Sequence, residues 1–163
     1  MNVEDLMTQN VALVRPEQTL GMAAQLMWDC DCGALPVVER DSAKVVGMIT
    51  DRDICMAAWS RGQAPNVIFV GEVMSREVAT CHPDDTIAHA ESSMRGSQVR
   101  RLPVVDGAQR LIGILSLADI ARATDVAPKL GSDYTIPGDG VVTTLASIVR
   151  VPRPNAAHRY AAP

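Results

Sequence analysis

The sequence has few aromatic residues, no long apolar run and no C-x-x-C pair of cysteines. Only five of its 163 residues are aromatic and the net charge is −4, so neither a base-stacking surface nor a polyanion-binding surface is expected, and we predict no nucleic-acid partner. The core must therefore be aliphatic and rich in methionine. No apolar run approaches the roughly 18 residues that span a bilayer, which predicts no membrane association. The amino terminus lacks the features of a signal peptide, and the four cysteines form no C-x-x-C pair, which favours a reduced cytoplasmic protein.

The chain contains one pattern twice. A shift of 67 residues, falling to 66 after a turn, aligns a set of identical or similar segments: Met27 with Met94, Leu35–Val38 with Leu102–Val105, Gly47 with Gly113, and Asp53 with Asp119. Matches in one register indicate an internal repeat. We interpret 1–60 and 68–125 as two homologous units, followed by a tail over 126–163 that is at most partly ordered.

Each unit shows the same order of predicted elements. A helix with apolar residues at helical spacing follows Thr19 or Thr86, two short apolar strands form a hairpin, and a second helix opens at Thr50 or Ser116. A unit of about 60 residues with a small sheet is marginal alone, so we expect the two copies to pack sheet to sheet. In the tail, 137–140 has the composition of a loop and 143–150 predicts two helical turns.

The most specific motif is Gly-h-h-Thr/Ser-x-x-Asp, in which h is an apolar residue, at 47–53 and again at 113–119. One interpretation is a capping box, in which the hydroxyl and the acid satisfy the first amides of a helix. The other is a ligand site, because a helix start offers free amides to a phosphate and an acid can accept two hydrogen bonds from a ribose diol. A glycine three residues before the hydroxyl admits either another backbone or a flat base.

The doubled Leu-Pro-Val-Val strand and the doubled motif resemble a tandem pair of CBS domains over 1–125. The resemblance implies an α+β fold of two β-α-β-β-α repeats, packed sheet to sheet about a pseudo-twofold axis. It implies an adenosine-containing ligand (AMP, ADP, ATP, NAD or S-adenosylmethionine) in the cleft between the repeats, and no catalytic cofactor. It also implies a homodimer with a regulatory role, which signals through its dimer geometry to an unidentified partner protein.

The resemblance also implies which residues contact the ligand. Asp53 and Asp119 would hold ribose hydroxyls, and Thr50 and Ser116 would contact ribose or phosphate. The pocket of Ser116 would be completed by Ile114, Gly33, Ala34, Thr8, Asn10 and Val11. The pocket of Thr50 would be completed by Met48, Ser75, Val78, Val99 and Arg100.

Basic residues stand near both motifs. Arg100 and Arg101 precede the second Leu-Pro strand, where the first repeat has Gly33-Ala34, and Arg52 lies at a helix start. Guanidinium groups suit phosphate oxygens, which predicts two unequal sites with a phosphate-rich nucleotide beside Arg100 and Arg101. The alternative is a solvated strand edge that discourages pairing with another sheet.

Catalysis and metal binding find little support in the sequence. The spacing of Cys30 and Cys32 is too tight for a structural zinc site, and the repeat alignment places Cys81 at the core position of Val14, so we predict no metal. No nucleophile triad or P-loop is present, so we expect no enzyme, with thiol chemistry at Cys30 or Cys32 a distant alternative. The main alternative function is a structural or interaction module that dimerises, whose pockets are vestigial and whose acids are only helix caps.

Overall fold

The structure is a computed structural model that describes residues 1–126 and 138–149. The described part contains four strands, five α-helices and three short 3-10 helices (Val3–Asp5, Pro65–Val67 and Val70–Glu72). In chain order, the strands and α-helices are α1 (Leu20–Asp29), β1 (Ala34–Val38), β2 (Val45–Thr50), α2 (Asp51–Arg61), α3 (Ile87–Ser97), β3 (Arg101–Val105), β4 (Leu111–Ser116), α4 (Leu117–Val126) and α5 (Gly138–Val149). The predicted α+β class is confirmed, and both predicted hairpins are present.

Each hairpin is a two-stranded sheet. One residue that precedes the first helix of the same repeat forms an isolated β-bridge with it. β1 pairs antiparallel with β2, with Ala34 opposite Thr50, and β3 pairs with β4. On the other side of β1, Val14 donates its N–H to the Pro36 carbonyl at 3.0 Å and forms a parallel bridge with Val37. Cys81 bridges β3 in the same way. The first strand of each predicted repeat is therefore a single bridging residue.

The described residues form two compact units, each with one hairpin and its helices. Unit N comprises 12–78 and 109–111, and unit C comprises 1–11, 79–108 and the described residues from 112 onward. In unit C, Thr8 and Ile114 exchange two backbone hydrogen bonds of 2.9 Å. The compact units therefore differ from the sequence repeats, because each takes an early segment from the other repeat.

The two cores are aliphatic and include methionine, as the shortage of aromatics predicts. The core of unit N lies between α1, α2 and the β1–β2 hairpin and includes Leu20, Met27, Leu35, Val37, Ile49, Ile54 and Met74. The core of unit C is its counterpart and includes Val3, Ile87, Met94, Leu102, Val104, Leu115 and Ile120. Burial of these side chains supplies the main stabilisation of each unit.

The tail contains a longer helix than its sequence predicts. Residues 138–140, predicted as a loop, form the first turn of α5, which contacts α3 and α4 and places Val141 and Ile148 against the core of unit C. Packing thus outweighs the low helix propensity of the two glycines in this turn. The rest of the tail, 127–137 and 150–163, lies outside the described residues. Among the helices that are described, none has both the length and the apolar character needed to cross a membrane.

Candidate functional site

Both copies of the motif form the same structure, at the end of a strand and the start of a helix. The Thr50 hydroxyl accepts a hydrogen bond from the Asp53 amide at 3.2 Å, and the Thr50 amide donates to Asp53 Oδ2 at 3.0 Å. In unit C, the Ser116 hydroxyl accepts from the Asp119 amide at 3.2 Å, and the Ser116 amide donates to Asp119 Oδ2 at 2.8 Å. The capping-box interpretation is therefore confirmed by geometry at both positions.

Capping uses only one oxygen of each acid, and the other oxygens differ between the units. In both motifs the hydroxyl donates to the same Oδ2 that receives the backbone amide. Asp119 Oδ1 is paired with Arg122, whose side chain is 70% exposed. Within the described part of the chain, no residue donates to Asp53 Oδ1, and the half-buried side chain can accept hydrogen bonds from a ligand there.

At each motif glycine, another backbone segment and a methionine side chain approach too closely to leave room for a Cβ atom. A Cβ at Gly47 would lie 2.6 Å from Met74 Sδ and 3.0 Å from the Ser75 carbonyl oxygen. A Cβ at Gly113 would lie 2.7 Å from Met7 Sδ and 3.1 Å from the Thr8 carbonyl oxygen. Of the two explanations of this glycine, close approach of a backbone is the one that the structure shows.

In unit C, backbone hydrogen bonds place two predicted site residues beside the end of β4 and the start of α4. Thr8 bridges Ile114 on β4, and the Arg100 carbonyl accepts from the Leu117 amide at 2.9 Å. Of the predicted residues nearby in the sequence, Val11 and Val99 are half-buried. Asn10 and the side chain of Arg100 are exposed. Arg101 is the first residue of β3 and is half-buried.

In unit N, two predicted site residues lie at the start of α2. The Gly33 carbonyl accepts from the Asp51 amide at 3.2 Å, and Ala34 lies opposite Thr50 in the sheet. The remaining predicted members are the bridged pair Met48 and Ser75, the half-buried Val78 and the exposed Arg52. Gly33 and Ala34 thus lie in the same unit as Thr50, and Val99 and Arg100 in the same unit as Ser116. The predicted pairings of these residues with the opposite motif stay predictions.

A groove that no sequence pattern indicates lies between α1 and α2 of unit N. It has a volume of about 460 Å³ and is lined by Ala24, Met27, Trp28, Asp31, Cys32, Gly33, Asp51, Ile54 and Cys55. Trp28 is 84% exposed. We call this the α1–α2 groove. Of its lining residues, only Gly33 belongs to the site predicted from the sequence.

The cysteines and histidines of the described residues show no metal-binding arrangement. Cys81 is buried, as the repeat alignment predicts, and burial raises the pKa of its thiol to about 12. The ring Nδ1 of the neighbouring His82 lies 3.0 Å from the Val105 carbonyl oxygen. Over 1–126 and 138–149, no three His, Cys, Asp or Glu side chains are grouped so that they could hold a metal ion.

Comparison with known proteins agrees with the fold and the doubled motif. The CBS domain model matches residues 3–60 and 70–125. The CBS domain-containing protein YhcV of Bacillus subtilis is 43% identical over 123 residues, which are 74% of this chain and 83% of YhcV.

Two solved structures are also similar. The crystal structure of Hypoxic Response Protein I, which holds two coordinated zinc ions, shows 37% identity and a TM-score of 0.68, covering 75% of this chain and 98% of that one. The CBS domain pair of protein MJ0100, in complex with 5′-methylthioadenosine and S-adenosyl-L-methionine, shows 28% identity and a TM-score of 0.67, covering 76% and 98%. The chain belongs to the CBS domain family and carries two CBS repeats.

Proposed function

We propose that this chain is a non-enzymatic regulatory module that binds an adenosine-containing nucleotide at its hydroxyl–acid helix starts. The observation that carries the proposal is the repetition of one geometry at Thr50–Asp53 and Ser116–Asp119. A helix cap alone need not recur in the same register of two repeats. The CBS pair of MJ0100, which is similar over three quarters of this chain, binds two adenosine derivatives.

The chemistry of these helix starts suits a nucleoside with a phosphate or another polar extension. A carboxylate oxygen such as Asp53 Oδ1 accepts hydrogen bonds from the two ribose hydroxyls, while Oδ2 stays in the cap. The positive end of the α2 helix dipole favours a phosphate oxygen nearby. Each acid therefore serves the cap and the ligand with different oxygens.

The two sites are unequal in this proposal. In unit C, the guanidinium of Arg122 holds Asp119 Oδ1, so a ribose must displace it, whereas Asp53 needs no such exchange. Arg100 stands at the start of α4 and can move toward a phosphate, because its side chain is exposed. We expect the site that uses Arg100 and Arg101 to select for phosphate charge and the other site to select for the ribose.

A thermal-shift panel of AMP, ADP, ATP, NAD and S-adenosylmethionine tests the proposal. A ligand at 100 times its dissociation constant adds about 2.7 kcal/mol to the stability of the folded state, a shift in melting temperature of roughly 5–10 °C. The matched control is guanosine monophosphate, which carries the same ribose and phosphate. If no member of the panel raises the melting temperature, the alternative is favoured, in which the acids are caps alone and the module is structural.

Calorimetry of an Arg100→Ala/Arg101→Ala variant separates the two sites. We expect the affinity for ATP to fall by at least tenfold while the affinity for adenosine stays within twofold, because only ATP presents phosphates. Unchanged ATP affinity would contradict the role of the two arginines and leave the solvated-edge explanation.

The output of the module is proposed to pass through a homodimer to a partner protein in the cytoplasm. Large apolar side chains are exposed in unit N, and the most exposed are Trp28 at 84% and Trp59 at 68%. Such side chains are enriched at protein interfaces. Light scattering of the wild type beside a Trp28→Arg/Trp59→Arg variant tests this, with a dimer expected only for the wild type.

A further inference from the structure

Glu91 of α3 is buried with one oxygen unsatisfied. Its side chain is 7% exposed, and it is the one charged residue buried in the part of the chain that the structure describes. Its Oε1 atom is fully buried and has no hydrogen-bond partner among the described residues. Because an ionised carboxylate in this position would lose its water and gain no hydrogen bond at Oε1, burial favours the protonated acid.

Helix α5 covers this carboxyl group. A Cβ at Gly140 would lie 3.0 Å from Glu91 Oε2 and 3.3 Å from Oε1, so the helix approaches the acid at a residue without a side chain. Arg95, one turn beyond Glu91, donates to the Thr144 hydroxyl at 2.9 Å, and that hydroxyl donates to the Gly140 carbonyl at 2.8 Å. One hydrogen-bonded path therefore connects α3 with the first turns of α5.

The repeat alignment shows that this contact is particular to the second repeat. At the 67-residue offset, Glu91 corresponds to Ala24 and Arg95 to Trp28. Ala24 and Trp28 line the α1–α2 groove, and Trp28 is largely exposed. Glu91 and Arg95 thus occur in the repeat whose first helix is covered by α5. The other repeat has apolar residues at the same two positions.

The charges around Glu91 agree with a neutral acid. Burial raises the pKa of Glu91, Asp139 at the start of α5 raises it further, and Arg95 opposes both. The charged side chains described on α4 include Asp119 and Arg122, which pair with each other. Docking of α5 raises the pKa of Glu91, so docking is favoured while Glu91 is protonated. It is weakened as the pH rises through this raised pKa.

We propose that α5 is a pH-sensitive latch, docked on α3 while Glu91 is protonated and loosened when Glu91 ionises. Loosening exposes the α3 face that α5 covers and removes the α5 contact from α4, whose first residues carry Asp119. The latch does not depend on nucleotide binding, so its test is independent of the proposed function.

Nuclear magnetic resonance of the full chain between pH 5 and pH 8.5 tests the latch. The titration follows the side-chain carboxyl carbon of Glu91 together with the backbone amides of α5. We expect the α5 amides to shift with the Glu91 midpoint, above the ordinary range of a glutamate. In Glu91→Gln, which mimics the neutral acid, the α5 amides should keep their low-pH positions throughout. Glu77→Gln, at an exposed glutamate, is the matched control and should behave as the wild type.

Two results would overturn the proposal. One is ionisation of Glu91 with no change at α5, and the other is the same α5 transition in Glu91→Gln. If Glu91→Gln does not fold, Thr144→Val replaces it as the test, because it removes the bond to Arg95 without touching the acid. Weaker docking should then lower the midpoint of the α5 transition, and an unchanged midpoint would count against the latch.

Discussion

Replacing Gly113 with alanine should destabilise unit C more than a surface glycine substitution can. The new Cβ would meet Met7 Sδ at 2.7 Å and the Thr8 carbonyl oxygen at 3.1 Å. The methionine can rotate away, but the carbonyl belongs to the backbone and accepts the Ile114 amide at 2.9 Å. Overpacking costs about 1–3 kcal/mol and each weakened hydrogen bond about 0.5–1.5 kcal/mol, so we expect a loss of about 3 kcal/mol in the free energy of unfolding.

Urea denaturation followed by circular dichroism measures this loss, with Gly96→Ala as the matched control. Gly96 lies within α3, and a Cβ there meets no atom within 4 Å, so its replacement should stabilise by about 0.5–1 kcal/mol. The two glycine-to-alanine changes should therefore have opposite signs. A loss below about 0.5 kcal/mol for Gly113→Ala would refute the argument that this glycine admits the Thr8 backbone.

Three further predictions concern the cap, the buried thiol and α5. Thr50→Ala removes the hydroxyl that caps α2 and should cost about 1 kcal/mol, with Thr50→Ser near the wild type in thermal melting. Cys81, with a pKa of about 12, should resist iodoacetamide at pH 8 while the exposed Cys55 is labelled, as mass spectrometry can show; equal labelling would contradict its burial. Gly140→Ala places a Cβ 3.0 Å from Glu91 Oε2 and should speed hydrogen exchange of the α5 amides several-fold, whereas unchanged protection would contradict the close approach.

Because the sequence pattern occurs twice, the hairpins and the helix starts could be predicted. The short apolar runs of each unit and the hydroxyl–acid motifs recur in one register, so each copy supports the assignment of the other. Thr50 and Ser116 end their strands and precede their helices as predicted. These elements could be predicted from local sequence patterns because burial and capping act over a few residues.

The early segments and α5 depend on contacts that a local pattern does not contain. Thr8 joins the hairpin of the second repeat, a contact that spans more than a hundred residues of chain. The glycines of 138–140 indicate a loop by composition, yet one of them is needed for the close approach to Glu91. A signal for α5 was present in the exchange of Ala24 and Trp28 for Glu91 and Arg95 between the repeats. This exchange indicates that the two helices have different surroundings, but it does not show that α5 covers α3.

The most direct test of nucleotide binding is calorimetric titration of the full chain with AMP, ATP and S-adenosylmethionine. The wild type is compared with an Asp53→Asn/Asp119→Asn variant, in which each side chain keeps an oxygen for the cap but loses the carboxylate charge. We predict saturable binding of at least one of the three, with the affinity reduced at least tenfold in the variant and its ligand-free melting temperature within a few degrees of the wild type. Equal affinity in the two proteins, or no binding by the wild type, would contradict the account.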